Sequence, residues 1–207
     1  MSVSMKELLE AGVHFGHQTQ RWNPKMEKYI YGDKSGVHIL DLRITYETLQ
    51  EVQSFIQKLV ANSGKVLFVG TKPQAQKVIE EQATRAQMPY VNQRWLGGML
   101  TNFKTIIKRE IEKLTKSIGG IVDLNKVPEA IFIVDLLNET TALTEAKKLN
   151  IPVVALADSN VDPEYVDYVI PGNDDAIKSI ELIASAIADS CLKGLGKRKV
   201  LETQEDE

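Results

Sequence analysis

Two stretches of this chain mix side chains in a way that no packing face explains. The first is Tyr90–Phe103, YVNQRWLGGMLTNF, which combines Tyr90, Trp95 and Phe103 with Arg94 and the amides of Asn92, Gln93 and Asn102. An amphipathic helix would space its apolar residues at three and four, and a half-buried strand would alternate them; neither period fits here. Gly97-Gly98 adds a backbone turn or a close approach to another surface. The second is GVHFGHQTQRWNPKM, residues 12–26, with His14, His17, Arg21, Trp22 and Lys25 around the turn pair Asn23-Pro24. Cations, amides and aromatics on irregular backbone suit contact with something outside the hydrophobic core.

Other residues invite more specific chemistry. His14 and His17, three apart, would share one face of a helix and hold a metal between them. Gly12 and Gly16 argue against that helix, however, and no cysteine accompanies the pair, so neither metal nor cofactor is expected. His38 lies in a strand-like VHIL run and reads as a core or edge histidine. Asp135, Asp158 and Asp162 each follow an apolar run, where a carboxylate site and a simple turn cap are both open readings. Gly70-Thr71-Lys72 also follows such a run, but no G-x-G-x-x-G accompanies it. Gly64-Lys65 lacks the flanking residues of a phosphate-binding loop. No acid–base pair stands out, and no small-molecule substrate is expected.

These residues need a frame, and the remaining sequence supplies one. Ser4-x-x-Glu7 reads as a capping box opening a short helix that Gly12 would end. Short strands at Lys28–Tyr31 and Val37–Leu40 flank a Gly-rich turn. Regular alternation follows: a helix over Ile44–Ala61, a strand at Val66–Val69, and a helix capped by Thr71 with Pro73 in its first turn. A short strand is expected at Tyr90–Val91, then a charged helix over Thr101–Lys116. Strands at Ala130–Val134, Val153–Ala157 and Val169-Ile170 alternate with helices over Thr140–Leu149 and Asp174–Leu192. Strands this apolar, each followed by a helix, predict a parallel sheet covered on both faces: a single α/β domain built as a three-layer sandwich. Ligand contacts should gather at the strands' carboxyl ends. Residues 194–207 read as a polar, mobile tail.

The 207 residues suffice for one sizeable core, and 43% apolar with 26% charged content is ordinary for a globular chain. No apolar run is long enough to cross a bilayer, so no membrane association is expected. A lone cysteine, Cys191, excludes an intrachain disulfide and favours a reducing compartment. Net charge is −3, a mild argument against nucleic acid, but the halves differ. Residues 1–110 carry 15 Lys/Arg against 10 Asp/Glu, and residues 111–207 carry 10 against 18. One face can therefore meet an anionic partner while the other stays solvated.

GVHFGHQTQRWNPKM, GTKPQAQ (70–76), YVNQRWLGGMLTNF, SIGGI (117–121), PVVALADSNVDP (152–163) and IPGNDDAIKSI (170–180) occur in the order seen in one family. Over about residues 4–193 the chain resembles bacterial-type small-subunit ribosomal protein S2. The resemblance implies a Rossmann-like (flavodoxin-like) α/β domain without catalysis that binds small-subunit rRNA between head and body. It also implies partners among the small-subunit ribosomal proteins, including the large mRNA-binding one, and a place on the cytoplasmic ribosome. The plastid stroma is the alternative if the gene is organelle-encoded.

RNA contact suits the residue chemistry. Arg and Lys neutralise phosphates, aromatic and guanidinium planes stack on unpaired bases, and amides bond sugars and base edges. The expected contacts are Gln18, Gln20, Arg21, Trp22, Asn23 and Lys25 from the first segment, and Asn92, Gln93, Arg94, Trp95, Asn102 and Lys104 from the second. Lys72 joins them as a cation at a helix N-terminus. One departure concerns the long helical hairpin that relatives carry after the TNF motif. Here only KTIIKREIEKLTK, residues 104–116, stands in its place, and as one helix it would span roughly 20 Å. Two competing readings remain: an α/β enzyme or ligand-binding protein using Gly70–Lys72, Asp135 and Asp158, and a protein-docking module using the same aromatics.

Overall fold

Alternating apolar residues on four central strands divide the interior into two layers. The computed structural model describes residues 3–103, 105, 119–121, 124 and 126–205. Five parallel strands form the main sheet: β4 (Val66–Val69), β5 (Tyr90–Val91), β6 (Ala130–Val134), β7 (Val153–Ala157) and β8 (Tyr168–Pro171). Their spatial order is β5-β4-β6-β7-β8. Phe68, Phe132, Val154 and Leu156 point to one face, where α2 (Leu42–Ala61), α3 (Pro73–Arg85) and α5 (Ile177–Glu205) cover them. Leu67, Ile131, Ile133 and Val153 point to the other, under Ala142 and Ala146 of α4 (Thr140–Lys148). This is the three-layer α/β arrangement that the period of the strands implies. Phe68 and Phe132 meet edge to face at 5.6 Å in the centre of the first layer. Burying each such ring stabilises the fold by about 1.5–3 kcal/mol.

Among the described residues, the second face owes less of its cover to long helices than the first. Part of its cover comes from the irregular segments, Met26 from the first and Met99, Leu100 and Phe103 from the second, and part from loops that carry Ile121, Leu136 and Val161. Apolar residues in both segments thus belong to the core, and the polar ones between them are left at its edge.

The N-terminal part builds a small separate sheet. α1 (Met5–Glu10) starts with the expected capping box between Ser4 and Glu7. β1 (Phe15–Gln18), β2 (Ile30–Lys34) and β3 (Val37–Leu40) then pair antiparallel in the order β1-β3-β2. The strand β1 has no clear period in sequence and emerges only through pairing with β3.

Two expectations meet a different outcome. Thr71 does not cap α3; the N-cap position is Lys72, and Thr71 donates to Glu139 instead. The expected polar tail from Gly194 is helical as far as Glu205. Gly194 explains the continuation, because a Cβ there would stand 2.7 Å from Val60 Cβ, so α5 packs backbone-close on α2. Most of the helix expected over Thr101–Lys116 lies outside the described residues, as do Lys104, Lys108, Arg109 and Lys113.

Candidate functional site

Both irregular segments lie at the carboxyl ends of the parallel strands. Residues 12–26 are fastened to the loop after β7: the His17 N–H donates to Ser159 Oγ at 2.9 Å and the Asn23 N–H to the Ser159 carbonyl at 2.8 Å. The Asn23 side chain accepts from the Lys25 N–H and opens a 3-10 turn over Pro24–Tyr29, whose Met26 is fully buried. That leaves Gln18, Gln20 and Arg21 exposed. Trp22 is half-buried, its ring 5.2 Å from that of His38. Lys25 points outward, but its ammonium pairs with Asp162 at 2.8 Å and with Glu164.

Residues 90–103 are organised by one carboxylate. Glu145 in α4 is only 5% exposed. Its Oε1 accepts from the Trp95 indole N–H at 3.2 Å and the Gly98 N–H at 2.7 Å. Its Oε2 accepts from the N–H groups of Leu100 (3.0 Å) and Thr101 (3.1 Å) and from the Thr101 hydroxyl (3.2 Å). Gly98 takes φ +93°, a conformation that glycine adopts without penalty, which lets successive amides turn toward one point. Burial alone would raise the Glu145 pKa; the donors of Gly98, Thr101, Leu100 and Trp95 outweigh it and hold the carboxyl below its ordinary value. Asn92 is buried and donates to the Gln76 carbonyl and to Glu80, whereas Gln93, Arg94 and Asn102 are exposed.

Between the segments lies an acidic pit at the ends of β4, β6 and β8. The Lys72 ammonium enters it, 3.5 Å from Asp135, 3.0 Å from Asp174 and 2.5 Å from Asp175. Burial opposes that charge, but the aspartates outweigh it and raise the Lys72 pKa. Burial, followed by the neighbouring charge of Asp158, pushes Asp174 up to about 7 despite Lys72. Asp135 holds its turn at φ +68° by accepting from the Leu137 and Asn138 N–H groups. A nucleotide phosphate placed here would face Asp135, Asp174 and Glu139, so the pit does not suit the enzyme reading.

One cluster at the rim was not legible in sequence. His17 does not pair with His14; its Nδ1 lies 3.0 Å from Asp158 and its Nε2 3.2 Å from Asp175. The contact with Asp158 is the largest influence on His17 and raises its pKa against the opposing effect of burial. One nitrogen and two carboxylate oxygens, all within 4.8 Å of one another, form a donor set that a divalent cation can use. The three groups also satisfy one another by charge, so the arrangement stands without an ion.

The expected contact residues therefore divide. Gln18, Gln20, Arg21, Gln93, Arg94 and Asn102 are exposed, Trp22 and Asn23 are half-buried, and Lys104 lies outside the described residues. Lys25, Lys72, Asn92 and Trp95 are engaged by partners within the chain. Sequence reading missed Glu145 and Asp175. Asp175 sat inside a recognised motif, but Glu145 resembles any other residue of a charged helix.

The model of the family described as Ribosomal protein S2 matches residues 8–110 and 106–194. The chain belongs to the ribosomal protein S2 family. Among similar relatives, the small ribosomal subunit protein uS2 of Hahella chejuensis is 50% identical over 93% of this chain and 88% of its own length. The uS2 proteins of Thermobifida fusca and Mycobacteroides abscessus are each 48% identical, over 93% and 96% of this chain and 76% and 82% of their own. The join between the two S2-family matches falls at residues 106–110, within the short stretch that follows the TNF motif.

Proposed function

We propose that this chain is a structural component of the small ribosomal subunit that binds small-subunit ribosomal RNA through residues 12–26 and 90–103. Its place is then the ribosome in the cytoplasm, or the plastid stroma if the gene is organelle-encoded. Membership of the ribosomal protein S2 family makes it a structural protein rather than an enzyme. The observation carrying the RNA assignment is the state of Arg21 and Arg94. Each is exposed, forms no ion pair with a described residue, and stands on irregular backbone fixed from beneath, by Ser159 in one case and Glu145 in the other. A guanidinium held out in this way can neutralise a phosphate or stack on an unpaired base. Exposed amides share each segment: Gln18 and Gln20 with Arg21, Gln93 and Asn102 with Arg94. Contact between head and body, and anchoring of the large mRNA-binding ribosomal protein, belong to the same proposal through the family resemblance.

The test is binding to small subunits lacking this protein, titrated with salt. Wild-type affinity should fall steeply with salt, and Arg21→Ala with Arg94→Ala should flatten that dependence by about two charges. Affinity indifferent to salt and to both substitutions would assign the segments to a protein partner instead.

A further inference from the structure

We infer that Glu145 is a positioning residue for RNA binding: its buried carboxylate acts as an internal anion that holds the 95–101 loop in the shape that presents Gln93, Arg94 and Asn102. The inference rests on the RNA-face reading above and adds to it the group that shapes that face. The geometry is that of an anion bound by a peptide nest. Three backbone N–H groups and one indole N–H converge on a carboxylate that has no cation against it among the described residues. Such a nest would otherwise be a phosphate site. With Glu145 filling it, these amides are unavailable to RNA, and contact must come from the side chains on either side of the loop.

The anchor also explains why Trp95 stands beside an exposed arginine without being exposed itself. Its indole N–H is tied to Glu145 Oε1, and its ring packs on the second core layer. The next two residues toward the N-terminus, Arg94 and Gln93, are exposed. The carboxylate reaches back across about 45 residues of chain, to Leu100 and Thr101, so it ties the loop to a helix that is itself seated on the sheet through Ala142 and Ala146. Glutamine cannot replace it. Both glutamate oxygens accept, and whichever of them becomes an NH2 group faces at least two donors.

The experiment is a double-mutant cycle between Glu145→Gln and Arg94→Ala in the full chain, with Trp22→Phe added for the fluorescence measurements alone so that Trp95 is then the sole tryptophan. Binding to small subunits lacking this protein is measured alongside Trp95 emission and quenching by iodide. Glu145→Gln should leave cooperative thermal unfolding in place, red-shift Trp95, increase its quenching and weaken binding about tenfold. Arg94→Ala should matter in the wild-type background and hardly at all in Glu145→Gln. Wild-type binding by Glu145→Gln, or an Arg94→Ala effect of the same size in both backgrounds, would overturn the positioning role. No effect of Arg94→Ala in the otherwise unaltered chain would instead overturn the RNA-face reading. If Glu145→Gln does not fold, Thr101→Val removes one donor and keeps the charge. It should weaken binding about threefold, and unchanged binding there also overturns the inference.

Discussion

Residues 12–26 are held by hydrogen bonds from their backbone to Ser159 and by cation–carboxylate pairs near the surface, whereas residues 90–103 are held by the buried carboxylate of Glu145. In the first case several separate attachments share the load, from the buried Ser159 to the exposed Lys25 pairs. In the second, one acceptor satisfies five donors, in a setting where an unmatched donor is costly. A segment tied by several separate contacts should lose them one at a time; a segment tied by one buried group should come loose as a unit. The two also differ in what they leave outside. Lys25 is neutralised by Asp162 and Glu164, while Arg94 has no carboxylate partner among the described residues.

The largest effect that would break this contrast is on stability. Glu145→Ala should cost about 3 kcal/mol, because Gly98, Leu100 and the Trp95 indole lose their acceptor in a buried site. Ser159→Ala, which removes only a hydroxyl while its backbone acceptor stays, should cost about 1 kcal/mol. Denaturant melts of the two variants check the order, and equal losses would erase the distinction.

RNA binding gives the next contrast. Arg94→Ala should weaken binding to small subunits lacking this protein about tenfold and lower the salt slope by about one. Lys25→Ala should have less than half that effect on the slope, since its ammonium already has internal partners. A larger loss for Lys25 than for Arg94 would mean that RNA displaces Asp162 and Glu164.

The smallest effect is on pH dependence, and its sign differs between the segments. The Glu145 pKa is lowered in the folded protein, so its contribution is complete above the ordinary value of 4.5 and is lost as pH falls through the lower folded value. The His17 pKa is raised, so its contribution is present below 6.5 and fades as pH rises through the raised value. In metal-free buffer, Trp95 emission should therefore respond to acid. A probe on residues 12–26, such as Trp22 in a Trp95→Phe background, should respond as pH rises. A common midpoint for both probes would show that they report global unfolding rather than local release.

The main sheet was legible because strands such as Val66–Val69 and Ala130–Val134 are apolar on both faces, and each is followed by a helix. The short β1 was not, because Phe15–Gln18 has no alternation and owes its form to pairing with β3. The site was legible as composition but not as geometry. YVNQRWLGGMLTNF announces surface chemistry, yet nothing within it shows that Trp95 is tied down while Arg94 stands free. That difference is set by Glu145, brought in by the α4 layer from a helix whose own pattern is unremarked by any motif. In the same way, Lys72 at a helix N-terminus suits an anion by local chemistry, until the ends of β6 and β8 bring three aspartates around it.

The most direct test of the central claim is the salt dependence of binding to small subunits lacking this protein, compared between the wild-type chain and Arg21→Ala/Arg94→Ala. Two exposed guanidinium groups on separately anchored segments should together account for about two units of the slope of log affinity against log salt, with affinity falling about a hundredfold at low salt. A double variant with the wild-type slope and affinity would contradict the account and place the RNA-binding surface elsewhere on the chain.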